Sequence, residues 1–105
     1  MKDEFKGIME IAERLTVLQK QAVAQALIAY EPEVQDIIFS ADVNIPRIER
    51  VLDTLLDVAF DERVLALYKK LCRYLYSIDE STAVFYVNSY REIWEEEETG
   101  MKDEF

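Results

Sequence analysis

The sequence lacks histidine altogether and contains one cysteine, two glycines and two prolines among its 105 residues. Without histidine, the usual zinc ligand, the usual general base and every Ser–His or Cys–His nucleophile pair are absent. A single cysteine cannot form an internal disulfide, and we expect Cys72 to be a small buried hydrophobic residue. The sequence therefore predicts a protein that is not an enzyme and carries neither a metal nor a cofactor.

Long uncharged apolar runs and a basic-then-apolar leader pattern are also missing. A membrane-spanning helix needs roughly 18 or more consecutive apolar residues, and no segment reaches that length. A secretory signal needs a positive N-terminal region followed by an apolar stretch, and the first residues lack this pattern. We therefore expect a cytoplasmic protein with no membrane attachment.

Glycine and proline are too scarce for a sheet of short strands, which needs a turn about every 8–12 residues. Apolar residues instead recur at steps of three and four, the spacing of one helix face. The prediction is an all-α bundle that forms a single domain over residues 1–98. It has four main helices and one short helix after the first, at about 3–30, 32–40, 45–59, 62–76 and 79–97.

Breakers and capping residues set the predicted helix ends. The pair Glu31–Pro32 should end the first helix, because a residue before proline disfavours the α region. Asn44 and Asp61 are typical N-caps for the next two main helices. Ser77 and Glu80 have the spacing of a capping box for the last helix. The stretch 82–87 is β-branched and aromatic enough to resemble a strand, but we expect a helix because a lone strand would have no partner.

The pentapeptide Met-Lys-Asp-Glu-Phe occupies residues 1–5 and occurs again at residues 101–105. A repeat this short is not a structural unit. We interpret residues 99–105 as a tail outside the domain, derived from a cloning scar or from the start of a truncated second copy.

The formal net charge is −10, and the charges are segregated along the chain. Residues 1–30 are neutral, residues 31–62 carry −7, residues 63–78 carry +4 and residues 79–105 carry −7. Such an acidic chain disfavours nucleic acids and anionic membranes as partners. An acidic face on the second segment would instead attract a basic protein surface. Its candidate residues are Glu31, Glu33, Asp36, Asp42, Asp53 and Asp57. The alternative is that the basic segment neutralises its acidic neighbours within the bundle.

The stretch 42–52, which reads Asp-Val-Asn-Ile-Pro-Arg-Ile-Glu-Arg-Val-Leu, resembles the turn and second helix of helix-turn-helix proteins. Asp42 stands where that family has its turn glycine, and acids outnumber bases over residues 42–57. The resemblance implies a DNA-binding regulator built on residues 36–56, as the alternative to a protein-binding function. The residues that it places against bases and phosphates are Asn44, Arg47 and Arg50.

The first helix is predicted to be longer than its neighbours. From Asp3 to Tyr30 it would measure about 40 Å at 1.5 Å per residue, so part of it should extend beyond the bundle. Because its apolar face continues to the end, we predict a homodimer in which a second copy covers that face. The seam residues are Leu15, Leu18, Ala22, Ala26 and Ala29. In the alternative, the helix 32–40 and the last helix fold back over this face.

The predicted function is a small acidic protein–protein interaction module of the adaptor, inhibitor or immunity/antitoxin type.

Overall fold

The computed structural model describes the backbone of residues 2–95 and the side chains of residues 7–95. Four α-helices account for most of this part of the chain, and no strand occurs in it, so the predicted all-α bundle of four main helices is confirmed. The helices are α1 (Lys2–Phe39), α2 (Ile45–Leu56), α3 (Glu62–Ile78) and α4 (Glu80–Tyr90), and α4 continues as a π-helix over Arg91–Glu95. The predicted tail at 99–105 lies outside the described residues.

Helix α1 runs through Pro32 without a break. The predicted helix end at Glu31–Pro32 and the separate helix at 32–40 are therefore wrong. A proline inside a helix removes one backbone hydrogen bond and crowds the carbonyl four residues earlier. Packing overrides this cost here, because Val34 and Ile37, both fully buried, lie on the helical turns that follow the proline.

The C-terminus of α1 is closed by a left-handed residue. Ala41 has φ 55°, its N–H donates to Ile38 O at 3.2 Å, and the N–H of Asp42 donates to Ile37 O at 3.0 Å. This pair of bonds is the Schellman arrangement, which satisfies the last carbonyls of a helix. The chain is thereby turned so that α2 can begin a few residues later.

Side-chain caps begin the other helices. Asn44 Oδ1 accepts the Arg47 N–H at 3.1 Å, and Asp61 Oδ1 accepts the Arg63 N–H at 2.8 Å, so both predicted caps are confirmed. The predicted capping box is wrong, because Asp79 caps α4 by accepting the Thr82 N–H at 3.2 Å. A single residue separates α3 from α4, and Ser77 is therefore still in the last turn of α3.

Helix α3 lies at the centre of the bundle and packs against each of the other three helices. It contributes Tyr68, whose fully buried hydroxyl donates to the carbonyl of Tyr86 on α4 at 2.7 Å. The segment 80–90 is helical as predicted, although its α-helix ends at Tyr90. The core residues of the three shorter helices include Ile48, Val51, Leu52, Leu55, Val64, Leu67, Leu71, Leu75 and Ala83.

The N-terminal third of α1 extends beyond the bundle, as the predicted helix lengths indicate. Buried residues of α1 begin at Val23, whereas the large apolar residues from Ile8 to Leu18 are at least half exposed. At 1.5 Å per residue, the 38 residues of α1 measure about 57 Å. None of the described helices is both long enough and apolar enough to cross a membrane.

Candidate functional site

Arg47 is held by three carboxylates where α1, the following turn and α2 meet. Its Nε donates to Glu33 Oε2 at 3.0 Å, its Nη1 to Asp42 Oδ2 at 2.7 Å and its Nη2 to Asp36 Oδ2 at 3.2 Å. These hydrogen bonds raise the pKa of Arg47. The Asn44 N–H and the Arg47 guanidinium together hold the pKa of Asp42 below its usual value. The four side chains tie the end of α1 to the start of α2.

The six residues predicted as an acidic face do not form one free surface. Glu33, Asp36 and Asp42 face Arg47, and Asp53 accepts a hydrogen bond from the Tyr86 hydroxyl at 2.8 Å. Glu31 and Asp57 are exposed, and no cation of residues 7–95 forms an ion pair with either. Half of the predicted face is therefore neutralised within the protein, which was the alternative expected from the charge pattern. The neutralising base is Arg47 of α2, however, and not a residue of the basic segment.

The residues predicted to contact DNA are used within the fold. Asn44 is the N-cap of α2, and the Arg47 side chain is three-quarters buried among its carboxylates. Arg50 is largely exposed and makes one long contact, to Glu33 at 3.4 Å. A guanidinium that already binds three carboxylates cannot also bind a guanine edge, so this geometry does not favour the DNA-binding alternative.

An exposed apolar stripe runs along the N-terminal half of α1. It consists of Ile8, Ile11, Leu15 and Leu18, which are between 55% and 64% exposed, and of Ala22. At ~100° per residue, these five residues lie on one helix face, about 80° around the helix from the buried face that packs on the bundle. We call these five residues the α1 stripe.

Two of the predicted seam residues lie beyond the α1 stripe. Ala29 is exposed on the same helix face. Ala26 is only 7% exposed, because it lies at the edge of the buried face and packs within its own bundle. Ala26 is therefore not available to a second molecule, and its place in the predicted seam is corrected.

A groove of about 540 Å³ lies beside the C-terminal half of the α1 stripe. Leu15 and Leu18 form one wall, and Phe60 and Trp94 contribute to the other. The Trp94 indole is held in place, because its Nε1 donates to Leu56 O at 2.9 Å and its ring meets that of Phe60 edge-on, with centroids 5.6 Å apart. The alternative in which other helices cover the overhang fails, because residues 32–39 continue α1 and Leu15 and Leu18 remain exposed beside Trp94.

Sequence patterns did not identify Phe60 and Trp94 as neighbours of the α1 stripe. Both residues are far from Leu15 in the chain, and no helix periodicity relates a turn residue such as Phe60 to a helix face. The one available signal was the step from Tyr90 to Trp94, which extends the apolar spacing of α4 beyond the end of its α-helix.

The part of α1 that carries the α1 stripe has no net charge, although Asp57 lines the groove beside it. Glu10, Glu13, Arg14 and Lys20 are the ionisable residues between Gly7 and Tyr30, and they sum to zero charge. The remainder of the chain carries the whole net charge of −10. A second acidic molecule would therefore meet no net charge along this part of α1.

The described residues offer neither an exposed thiol nor a group of metal ligands. Burial raises the pKa of the Cys72 thiol to about 12, and the side chain is only 3% exposed, as expected for a small buried residue. Within the same part of the chain, no group of three or more His, Cys, Asp or Glu residues is arranged to hold a metal ion.

Comparisons of the chain with protein-family models, with curated proteins and with solved structures find no match. Its function is therefore inferred from its own residues.

Proposed function

We propose that the protein is a protein–protein interaction module that forms a homodimer through the α1 stripe. The exposure of that stripe is the observation that carries the proposal. Full burial of one large aliphatic side chain contributes about 1.5–3 kcal/mol, and the stripe offers four such side chains on each protomer. Monomeric proteins rarely leave a continuous apolar patch of this kind in water.

A second copy fits this surface better than an unrelated partner for two reasons. A two-fold pair uses the same patch on both molecules, so an apolar stripe is automatically matched by another apolar stripe. An antiparallel pairing of residues 8–22 also places the two bundles at opposite ends of the pair. The acidic segments that begin at Glu31 are then far apart, and the helices meet where the chain is neutral.

Sedimentation velocity at micromolar concentration tests the proposal. The wild-type chain should sediment as a dimer, and a variant with Leu15→Glu and Leu18→Glu should sediment as a monomer, because four carboxylates would then meet across the seam. The control carries Val17→Glu and Ala24→Glu, which add the same charge to exposed positions on the far side of α1. This control should remain a dimer.

Two results would refute the homodimer. One is a wild-type chain that is monomeric at these concentrations. The other is a control variant that dissociates as fully as the stripe variant, since general charge repulsion would then explain both.

A basic protein partner remains a second proposal, and it now depends on fewer residues. Because Arg47 already binds Glu33, Asp36 and Asp42, attraction to a basic surface would fall chiefly to Glu31, Asp53 and Asp57. Among the described residues, Glu31 and Asp57 are the members of the predicted acidic face with no hydrogen-bonded side-chain partner. They are the positions at which charge reversal would slow association with such a partner.

A further inference from the structure

A groove between α3 and α4 combines an apolar floor with two arginines. Ala83, Val84 and Val87 of α4 form much of the floor, and the groove measures about 420 Å³. Arg73 of α3 and Arg91, just after α4, contribute one cation from each wall. This groove involves none of the residues of the α1 stripe.

The two arginines differ from the other arginines of α2 and α3. Arg47, Arg50 and Arg63 each contact a carboxylate. Over residues 7–95, no carboxylate forms an ion pair with Arg73 or Arg91, although acids outnumber bases by 22 to 12 in the chain. Two cations without acidic partners above an apolar floor are complementary to an anion that carries an apolar chain.

We propose that this groove binds a small anionic amphiphile, namely an aliphatic chain that ends in a carboxylate. The guanidinium group matches a carboxylate in shape and can donate two parallel hydrogen bonds to it. The groove volume lies at the lower end of the range of about 300–1,000 Å³ that is typical of small-molecule sites. From Ala83 to Arg91 the groove follows α4 for about 12 Å, a length that suits a medium aliphatic chain better than a folded partner.

The positive charge of this groove also distinguishes it from the α1 stripe. Glu10, Glu13, Arg14 and Lys20 leave the α1 stripe neutral, whereas Arg73 belongs to the basic segment 63–78, which carries +4. Arg73 and Arg91 place a cation on each side of this apolar cleft, and none of the described acidic residues lines it. The carboxylate is therefore expected at the arginines, with the chain along Val84 and Val87.

Isothermal titration calorimetry with decanoate, below the concentration at which it forms micelles, tests the proposal. Wild-type protein should bind decanoate saturably. The variant with Arg73→Ala and Arg91→Ala should bind at least tenfold more weakly, and Val84→Asp should abolish binding by placing a carboxylate at the floor. The control with Lys20→Ala and Lys70→Ala changes the net charge equally at exposed positions outside the groove. It should bind like the wild type.

Several results would overturn the proposal. Absence of saturable binding would do so, as would equal affinity in the double arginine variant or equal affinity for decanol, which has the chain but no charge. Loss of dimers on Val84→Asp would show that a second copy covers the groove, and would also refute it.

Discussion

Three aspartates at helix ends make the stability of this protein depend on pH. Asp61 and Asp79 cap α3 and α4, and Asp42 accepts the Asn44 N–H in the turn before α2. The pKa of each is lowered by its hydrogen bonds, with Arg63 as the largest cause at Asp61 and the Thr82 hydroxyl at Asp79. A carboxylate whose pKa is lower in the folded chain stabilises the fold above the pKa of the unfolded chain, and this stabilisation is lost as the pH falls through the folded-state pKa.

The pH dependence can be isolated at Asp61. Asn is an equally good N-cap but does not titrate, so Asp61→Asn keeps the cap and removes one proton-linked group. As the pH is lowered from about 6 to about 2.5, the urea concentration at the midpoint of unfolding should decrease in the wild type. It should decrease less in the variant. Asp57→Asn, at an exposed carboxylate with no ion-pair partner among the described residues, serves as the control. An equal loss of stability in all three proteins would contradict the assignment of Asp61.

Local residue roles could be predicted from the sequence, and long-range ones could not. The caps at Asn44 and Asp61 depend on backbone groups two or three residues away. The role of Arg47 depends on Glu33, 14 residues earlier, and on how α1 ends. An arginine at the start of an amphipathic helix is compatible both with DNA contact and with an internal ion pair, and only the position of Glu33 and Asp36 distinguishes the two.

Helix α1 shows where tertiary packing overrides a local sequence rule. The rule that a helix ends before proline is sound for isolated segments. In this chain Val34 and Ile37 each have 0% exposure, and both lie beyond Pro32 on the same helix. Burial of two large aliphatic side chains contributes about 3–6 kcal/mol, whereas a proline within a helix costs about 3 kcal/mol. Packing is therefore sufficient to keep α1 continuous.

Removal of that proline should stabilise the protein. Pro32→Ala restores an N–H that can donate to the carbonyl of Ile28, and it should raise the free energy of unfolding by about 1–2 kcal/mol after the greater freedom of the unfolded chain is subtracted. Urea denaturation measures this change. Pro46→Ala is the matched control, because Pro46 occupies the first turn of α2, where a helix needs no backbone donor, and this variant should show no gain. A less stable Pro32→Ala would mean that proline geometry itself positions Val34 and Ile37.

Helix periodicity predicted that α1 is apolar, but it did not predict which of its apolar faces packs against the other helices. The regular series from Ile8 to Ala29 predicted one face, yet the bundle covers a neighbouring face that includes Val23 and Val34. Both faces satisfy steps of three and four, because apolar residues occupy two neighbouring faces of this helix. The choice between them depends on where α2 and α3 pack, which is a property of tertiary structure.

The extension of α1 beyond the bundle was predicted from helix lengths alone. If this part of α1 pairs with a second copy, the stability of the whole protein depends on protein concentration. If unfolding is coupled to dissociation of the dimer, each tenfold rise in concentration stabilises the folded state by about 1.4 kcal/mol per dimer. For a chain of this size, that energy corresponds to an increase in Tm of a few degrees. The effect separates a dimer in solution from a monomer that merely exposes an apolar helix.

We therefore expect the Tm of the wild type to rise by about 3 °C or more per tenfold concentration between about 1 and about 100 µM, as measured by circular dichroism. The Leu15→Glu, Leu18→Glu variant should have one Tm at all concentrations, because the introduced carboxylates would repel one another across the seam. Trp94 gives a second readout, since it is the single tryptophan and lines the groove beside Leu15 and Leu18. Its emission should shift to shorter wavelength as wild-type dimers exclude water from that groove. If Tm and emission are both independent of concentration in the wild type, the α1 stripe does not pair with itself.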